Sequence, residues 1–392
     1  MKIAVLTSGI RPVPAVQGGA VENLIEAYLC YNDQHTRHDI TVYSVWHPQL
    51  CHITNTSHTH YRYTNVNSRW NRLRREIYRR QHGKEYYHHL VEFFFEQAYH
   101  HLRRQHFDVI IVENRPGFVI KLRQRLQTPI VLHLHNDFLN SSTRQANDIS
   151  SGTTTVVCVS DYIASRVSTV DGAGTKCVTV YNAIDVTRFE QACPAERSNY
   201  GFSTDDIVVA YSGRLTEEKG VLELMRAMRQ ARQQDDRLKL LIIGATDYGD
   251  NARPTPYAQL LHDEAQQLGS SIVMTGFVPY DQVPRLLKMA DMAVVPSLWE
   301  EPFGLTVVEA MAAGLPLITT RSGGITEVCQ GVATIVDREN LEDKLASAII
   351  QLVRHPEQRQ AMSLAAKQRA QQFDNKIYAQ QFFEVLERTP KR

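Results

Sequence analysis

The chain has 392 residues, 43% of them hydrophobic and 22% charged, with a formal net charge of +1 at pH 7. That length exceeds what one hydrophobic core keeps absorbing, so two domains of roughly 150 to 200 residues are expected. The composition is that of an ordinary soluble protein, and the near-zero net charge argues against a dedicated nucleic-acid binder, although a local basic patch can sit inside a neutral total. In the first half, strands are expected over 2–7, 39–45, 108–113, 129–134, 154–159 and 176–181, with helical periodicity most evident over 21–31, 69–104 and 161–170. Strand and helix in alternation mean right-handed crossovers and a parallel sheet with helices on both faces, a Rossmann-like domain. The segment 46–68 takes no element from its pattern.

An irregular stretch over 187–203 follows Asp185. A second alternation then begins, with strands over 207–212, 238–244, 272–276, 292–296, 315–319 and 333–336. The expected organisation is α/β, with a first domain over 1–185 and a second over 186–373, followed by a terminal helical stretch within 374–392. Ligands bind such sheets beyond the carboxyl ends of their strands, so a site shared by two of them is expected in the cleft where they face each other.

Met1 leads straight into the first strand, with no basic and apolar leader before it, and no later run approaches eighteen apolar residues; a cytosolic protein is expected. Cys30, Cys51, Cys158, Cys177, Cys193 and Cys329 form no C-x-x-C pair, which favours buried reduced thiols over disulfides or a metal site. Between Arg62 and Arg125 basic residues clearly outnumber acidic ones. The densest run is Arg69, Arg72, Arg74, Arg75, Arg79 and Arg80. It reads either as a solvated helix face or as a contact for an anionic membrane surface, in which case the protein would sit peripherally on the inner face of a membrane.

Several stretches carry chemistry. Gly18-Gly19 precedes a helix starting near Val21, where backbone can approach an anion closely; as a bare motif it is also an ordinary turn, and it is not a G-x-G-x-x-G. His133 and His135 share one strand face at the end of Pro129-Ile130-Val131-Leu132-His133-Leu134-His135-Asn136-Asp137, as core histidines or as ligand contacts. Gly213-Arg214-Leu215-Thr216-Glu217-Glu218-Lys219-Gly220 places a lysine at a helix start, against the dipole, so it calls for a negative partner. Glu217 and Glu218 could be that partner, or a bound anion could. Two further strands end on Gly244 and on Gly276-Phe277-Val278, and Ser322-Gly323-Gly324 forms another glycine loop.

The stretch that organises the rest is Trp299-Glu300-Glu301-Pro302-Phe303-Gly304-Leu305-Thr306-Val307-Val308-Glu309. Pro302 and Gly304 keep Glu301 in a turn, while the apolar run after Gly304 starts a helix that holds Glu309. Two carboxylates then flank a helix start, whose unpaired amides suit a phosphate. Thr306-x-x-Glu309 also fits a capping box.

This stretch resembles the Glu-x7-Glu signature of retaining GT-B glycosyltransferases, the family 4 or group 1 enzymes, with Glu301 and Glu309 matching its two carboxylates. The spacing from Arg214 to Lys219 resembles the family's diphosphate clamp, Gly18-Gly19 its amino-terminal glycine loop, and His135, rather than His133, its strand-end histidine. The resemblance implies two Rossmann-like domains and a terminal helix crossing back to the first. His135, Glu301, Arg214 and Lys219 would be catalytic. Gly18, Gly19, Gly213, Gly276, Phe277, Val278, Phe303, Gly304, Leu305, Thr306 and Glu309 would join the last three of these in binding the donor. It further implies a nucleotide-diphosphosugar co-substrate, a UDP-sugar first among them, no cofactor, no metal and no nucleic acid. The acceptor would be a carbohydrate or a lipid-linked sugar, in surface polysaccharide or glycoconjugate synthesis. A nucleotide-sugar epimerase of the same architecture and a non-catalytic binding homologue are the rival readings.

Overall fold

The computed structural model describes residues 1–81, 86–245 and 255–390. It forms two compact units, one of Met1–Asn182 with Asn375–Arg392 and one of Ala183–Asp374. The division thus falls three residues before the expected 185. The reason is local: the Ile184 N–H donates to the Phe373 carbonyl at 3.0 Å, and Ile184 bridges to Asp374, so this segment is held within the second unit.

In the first unit β1 (Lys2–Leu6), β2 (Asp39–Val45), β3 (Thr59–Thr64), β4 (Val109–Glu113), β5 (Ile130–Leu134), β6 (Thr155–Cys158) and β7 (Cys177–Thr179) form one sheet in the order β3-β2-β1-β4-β5-β6-β7. Every pairing is parallel. The central strands are buried along their whole length, as a sheet covered on both faces requires.

β3 is the element missing from the pattern of 46–68. It is an edge strand, Thr-His-Tyr-Arg-Tyr-Thr, only partly buried, and its alternation of polar and aromatic residues gives no apolar run. The helical run expected over 69–104 is two helices, Arg69–Gln81 and His89–Leu102; residues 82–85 lie outside the described residues. The cysteine expectation also needs correction. Cys158 and Cys329 are buried, whereas Cys30, Cys51 and Cys193 are exposed; all six are free.

The terminal helix Asn375–Arg388 belongs to the first unit and packs on its first helix, Ala20–His35. Phe382 stacks on Tyr28 with ring centroids 4.9 Å apart, and Arg37 pairs with Glu387 at 2.9 Å.

In the second unit β8 (Ile207–Ser212), β9 (Leu238–Ile243), β10 (Ile272–Met274), β11 (Met292–Val295), β12 (Leu317–Thr320) and β13 (Ala333–Val336) run in the order β10-β9-β8-β11-β12-β13, again all parallel. Helices Val221–Arg232 and Leu341–Arg354 lay Leu224, Met228, Leu345 and Ile349 onto one core with Leu240 and Val294 of the sheet. The irregular stretch expected over 187–203 contains a short helix, Val186–Glu190, capped by the Asp185 carboxylate on the Arg188 N–H.

Phe382→Ala removes a fully buried ring that also touches His133 at 4.9 Å between centroids. The expected loss is about 3–5 kcal/mol of stability, read as a drop in the urea midpoint. A midpoint equal to that of the parent would contradict the seating of the terminal helix.

Candidate functional site

In each sheet the strand order reverses between two neighbours, β1 and β4 in the first unit and β8 and β11 in the second. Crossovers leave such a pair towards opposite sides, which opens a crevice beyond the carboxyl ends. The loops after three of these strands, β1, β8 and β11, hold most of the residues singled out by sequence.

In the second unit, Gly213 follows β8 with φ +148° and donates its N–H to the Ile243 carbonyl at 3.0 Å. The loop runs through the turn Glu217–Lys219 to Gly220, where a Cβ would come within 2.0 Å of the Pro296 carbonyl oxygen. The Leu298 N–H donates to the Glu218 carbonyl at 2.8 Å. This loop is therefore seated directly on the one that follows β11.

Glu301 lies in that second loop, 7% exposed. Its Oε1 accepts from Lys219 Nζ at 2.6 Å and from the Ser297 hydroxyl at 2.7 Å. The Lys219 ammonium also lies 5.3 Å from the centre of the Trp299 ring. The Gly324 N–H donates to the Glu301 carbonyl at 2.8 Å, and a Cβ at Gly324 would meet the Pro302 oxygen at 2.5 Å. The glycine loop after β12 thus braces the acidic loop.

Gly304, at φ +95°, ends the loop and opens the helix Leu305–Ala312. The amides of Leu305 and Thr306 belong to the first turn and have no acceptor in their own helix, so they present partial positive charge. Phe303 is buried edge-on against Phe373, centroids 5.6 Å apart. The capping box is not formed: Gly304 occupies the cap, with no side-chain cap bond, and Thr306 is the second helical residue. Glu309 is buried, and burial raises its pKa from 4.5 to about 7, partly offset by a hydrogen bond with the Tyr280 hydroxyl.

Lys219, Glu301 and the helix start at Leu305 therefore come together. Arg214 shares the Lys219 loop, but its half-exposed guanidinium stands 3.8 Å from Glu218. Gly276, at φ +68°, bridges to Gly244 and is followed by the exposed Phe277 and half-buried Val278. They follow the edge strand β10, two strands from the switch point.

In the first unit Gly18 and Gly19 take φ +66° and +126°, and a Cβ at Gly19 would lie 2.2 Å from the Glu22 carboxylate. Glu22 is buried in the first turn of the helix that follows, and burial raises its pKa. His135 lies just past β5. Its Nε2 is 3.0 Å from Glu113 Oε2, and His133 Nδ1 is also 3.0 Å from that oxygen, though off the direction of a hydrogen bond. Glu113 Oε1 accepts from the Tyr28 hydroxyl at 3.1 Å. Burial alone would raise the Glu113 pKa, but the two imidazoles outweigh it and bring it to about 2. Burial, then the neighbouring His133, lowers the pKa of His135.

Among the described residues, Glu113, His133 and His135 are the grouping with donors and spacing suited to a metal ion, their ligand atoms within 4.8 Å of one another. Sequence reasoning missed Glu113, Tyr28 and Ser297, and it gave Trp299 no role. Glu113 left a signal, an acidic residue closing the otherwise apolar strand Val109–Glu113.

Residues 194–369 match the family model described as glycosyl transferases group 1. A putative glycosyltransferase of Bacillus subtilis, YtcC, is 30% identical over 364 residues, 89% of this chain and 82% of that protein. The lipopolysaccharide 1,2-N-acetylglucosaminetransferase of Salmonella typhimurium is 26% identical over 220 residues, 56% of each chain. Among solved structures, Anabaena Alr3699/HepE in complex with UDP-glucose superposes with a TM-score of 0.71 at 21% identity, over 99% of both chains, a likeness of fold.

The raised pKa of Glu309 fixes a sign. The folded state holds this proton more tightly than the unfolded chain, so the stability it contributes is whole below about pH 4.5 and is lost as pH rises to about 7. Relative to Glu309→Gln, the parent should lose about 3 kcal/mol across that window in pH-dependent urea unfolding. Equal pH slopes in the two proteins would contradict a buried, ionisable Glu309.

Proposed function

Because the chain belongs to the glycosyl transferases group 1 family, we propose that it is a retaining, metal-independent glycosyltransferase using a nucleotide diphosphosugar, a UDP-sugar first among them. Its fold is the GT-B architecture, built from two Rossmann-like units. The observation that carries the reading is the Lys219–Glu301 contact at the amide end of helix Leu305–Ala312.

A diphosphate at that helix start would accept from the Leu305 and Thr306 amides and meet the Lys219 ammonium. Glu301 already neutralises Lys219, so the further positive charge must come from Arg214. An exposed pair such as Arg214–Glu218 holds a guanidinium by no more than about 1 kcal/mol, so little opposes its turning to the donor. With its Oε1 shared between Lys219 and Ser297, Glu301 has Oε2 to accept a sugar hydroxyl. Glu309 would bind the ribose, and His135 a hydroxyl of the transferred sugar.

In the transfer, the bond from the anomeric carbon to the diphosphate oxygen breaks and the bond to the acceptor oxygen forms on the same face. The acceptor's proton passes to the departing phosphate oxygen. Lys219, Arg214 and the helix amides stabilise the charge that gathers there.

Lys219→Ala and Glu301→Gln should each lower kcat by roughly 10²- to 10³-fold with the fold retained. Transfer at the parent rate in either variant would contradict the assignment. A thermal-shift screen against UDP, GDP, ADP and their sugars names the base, since a ligand preferring the folded state raises the melting point. UDP is expected to give the largest rise; a larger rise with GDP or ADP would overturn that choice.

The acceptor we propose is a carbohydrate or lipid-linked sugar of a surface glycoconjugate; the name of the Salmonella relative, a lipopolysaccharide N-acetylglucosaminetransferase, supports that reading. No helix among the described residues is long and apolar enough to cross a membrane. Helix Arg69–Gln81, however, exposes Trp70, Leu73 and Ile77 along one side, among exposed Arg69, Arg72, Arg74, Arg79 and Arg80. That combination suits peripheral contact with acidic headgroups. The protein should sediment with anionic vesicles and not with zwitterionic ones, and Trp70→Ala with Arg72→Glu should weaken this. Sedimentation indifferent to lipid charge would remove the membrane from the proposal.

A further inference from the structure

Glu113 and the residue after it hold His135 from two sides. Asn114, at φ +56°, accepts the His135 N–H on its side-chain oxygen at 3.2 Å, and its own N–H donates to the His133 carbonyl at 2.8 Å. The Glu113 carboxylate then meets the His135 ring at Nε2. Its Oε1 accepts from the Tyr28 hydroxyl, and its Oε2 lies 3.0 Å from the imidazole nitrogen. An ionised carboxylate has no proton to give, so the proton in its contact with His135 sits on Nε2. That makes Nδ1 the lone-pair nitrogen. It is buried, and among the described residues no donor reaches it.

The ring has little freedom to turn. His133 lies against it with centroids 4.1 Å apart, and Phe382 of the terminal helix closes behind His133 at 4.9 Å. A flip of the His135 ring would set a C–H against Glu113 Oε2 and forfeit the charged hydrogen bond. We infer that Glu113 is a positioning residue: it fixes His135 as the Nε2–H tautomer, so that Nδ1 accepts a hydrogen bond from a hydroxyl of the transferred sugar. This rests on the reading of His135 as a contact of the donor sugar given above. It adds a direction to that contact, with the sugar hydroxyl donating and the imidazole accepting.

The test combines nitrogen-15 NMR of histidine-labelled protein, with His135 assigned through His135→Asn, and steady-state kinetics. In the parent, Nε2 should carry the proton and Nδ1 should not. The Nδ1 signal should move on adding the nucleotide sugar and stay still on adding the nucleoside diphosphate alone. Glu113→Gln presents an amide that can donate to Nε2 and so admits the other tautomer. In that variant kcat/KM for the donor should fall about tenfold or more, while the melting-point rise given by the nucleoside diphosphate stays as in the parent.

A proton on Nδ1 in the parent would overturn the inference, and the parent spectrum decides this even if the variant does not fold. Parent-like tautomer and activity in Glu113→Gln would overturn it as well. So would a stoichiometric divalent cation retained by the purified protein and lost in that variant, because Nε2 would then be a metal ligand rather than a donor. Full transfer by His135→Ala would sink the donor-site reading itself and this inference with it, whereas failure of the Glu113 results alone leaves that reading standing.

Discussion

Lys219 and Glu301 lie 82 residues apart in the chain and meet at 2.6 Å, joining the loop after β8 to the loop after β11. The contact is largely shielded from water, so removing either partner would leave the other charge in poorly solvated surroundings. Its placement matters more than its strength. Glu301 stands three residues before Gly304, which opens the helix Leu305–Ala312; in the function we propose, the Lys219 cation and the unpaired first amides of that helix would serve one anion.

Backbone proximity makes that placement possible. Gly220 lies against the Pro296 carbonyl, Gly244 against that of Gly213, and Gly324 against that of Pro302, each at a distance that no Cβ could share. These contacts stack the loops after β8, β9, β11 and β12 on one another at the carboxyl edge of a single parallel sheet. The first unit uses the same edge differently. There the loops after β4 and β5 are joined through a buried carboxylate and an imidazole, with an aromatic wall from Tyr28 and Phe382 behind them.

Much of this was legible in the residues. The alternation of apolar strands with amphipathic helices sufficed for two parallel sheets, and Pro302 and Gly304 sufficed to place Glu301 in a turn and Glu309 in a helix. Strand β3 was not legible, because an edge strand of Thr, His, Tyr and Arg carries no apolar run. The break within 69–104 was not visible either, since helical periodicity persists on both sides of it. Glu113 was hidden for a different reason. A single acidic residue at a strand end looks like a solvated charge until β4 and β5 are paired, when Glu113 falls opposite His133 and the carboxylate is enclosed. Pairing partners across a sheet are a tertiary fact, and residue type alone does not encode them.

A crystal structure of the protein with a nucleotide diphosphosugar, or with an analogue that is not transferred, tests the central claim most directly. The expected result is diphosphate oxygens at about 3 Å from Lys219 Nζ and from the Leu305 and Thr306 nitrogens. A donor bound with its diphosphate away from that helix start, leaving Lys219 on Glu301 alone, would contradict it.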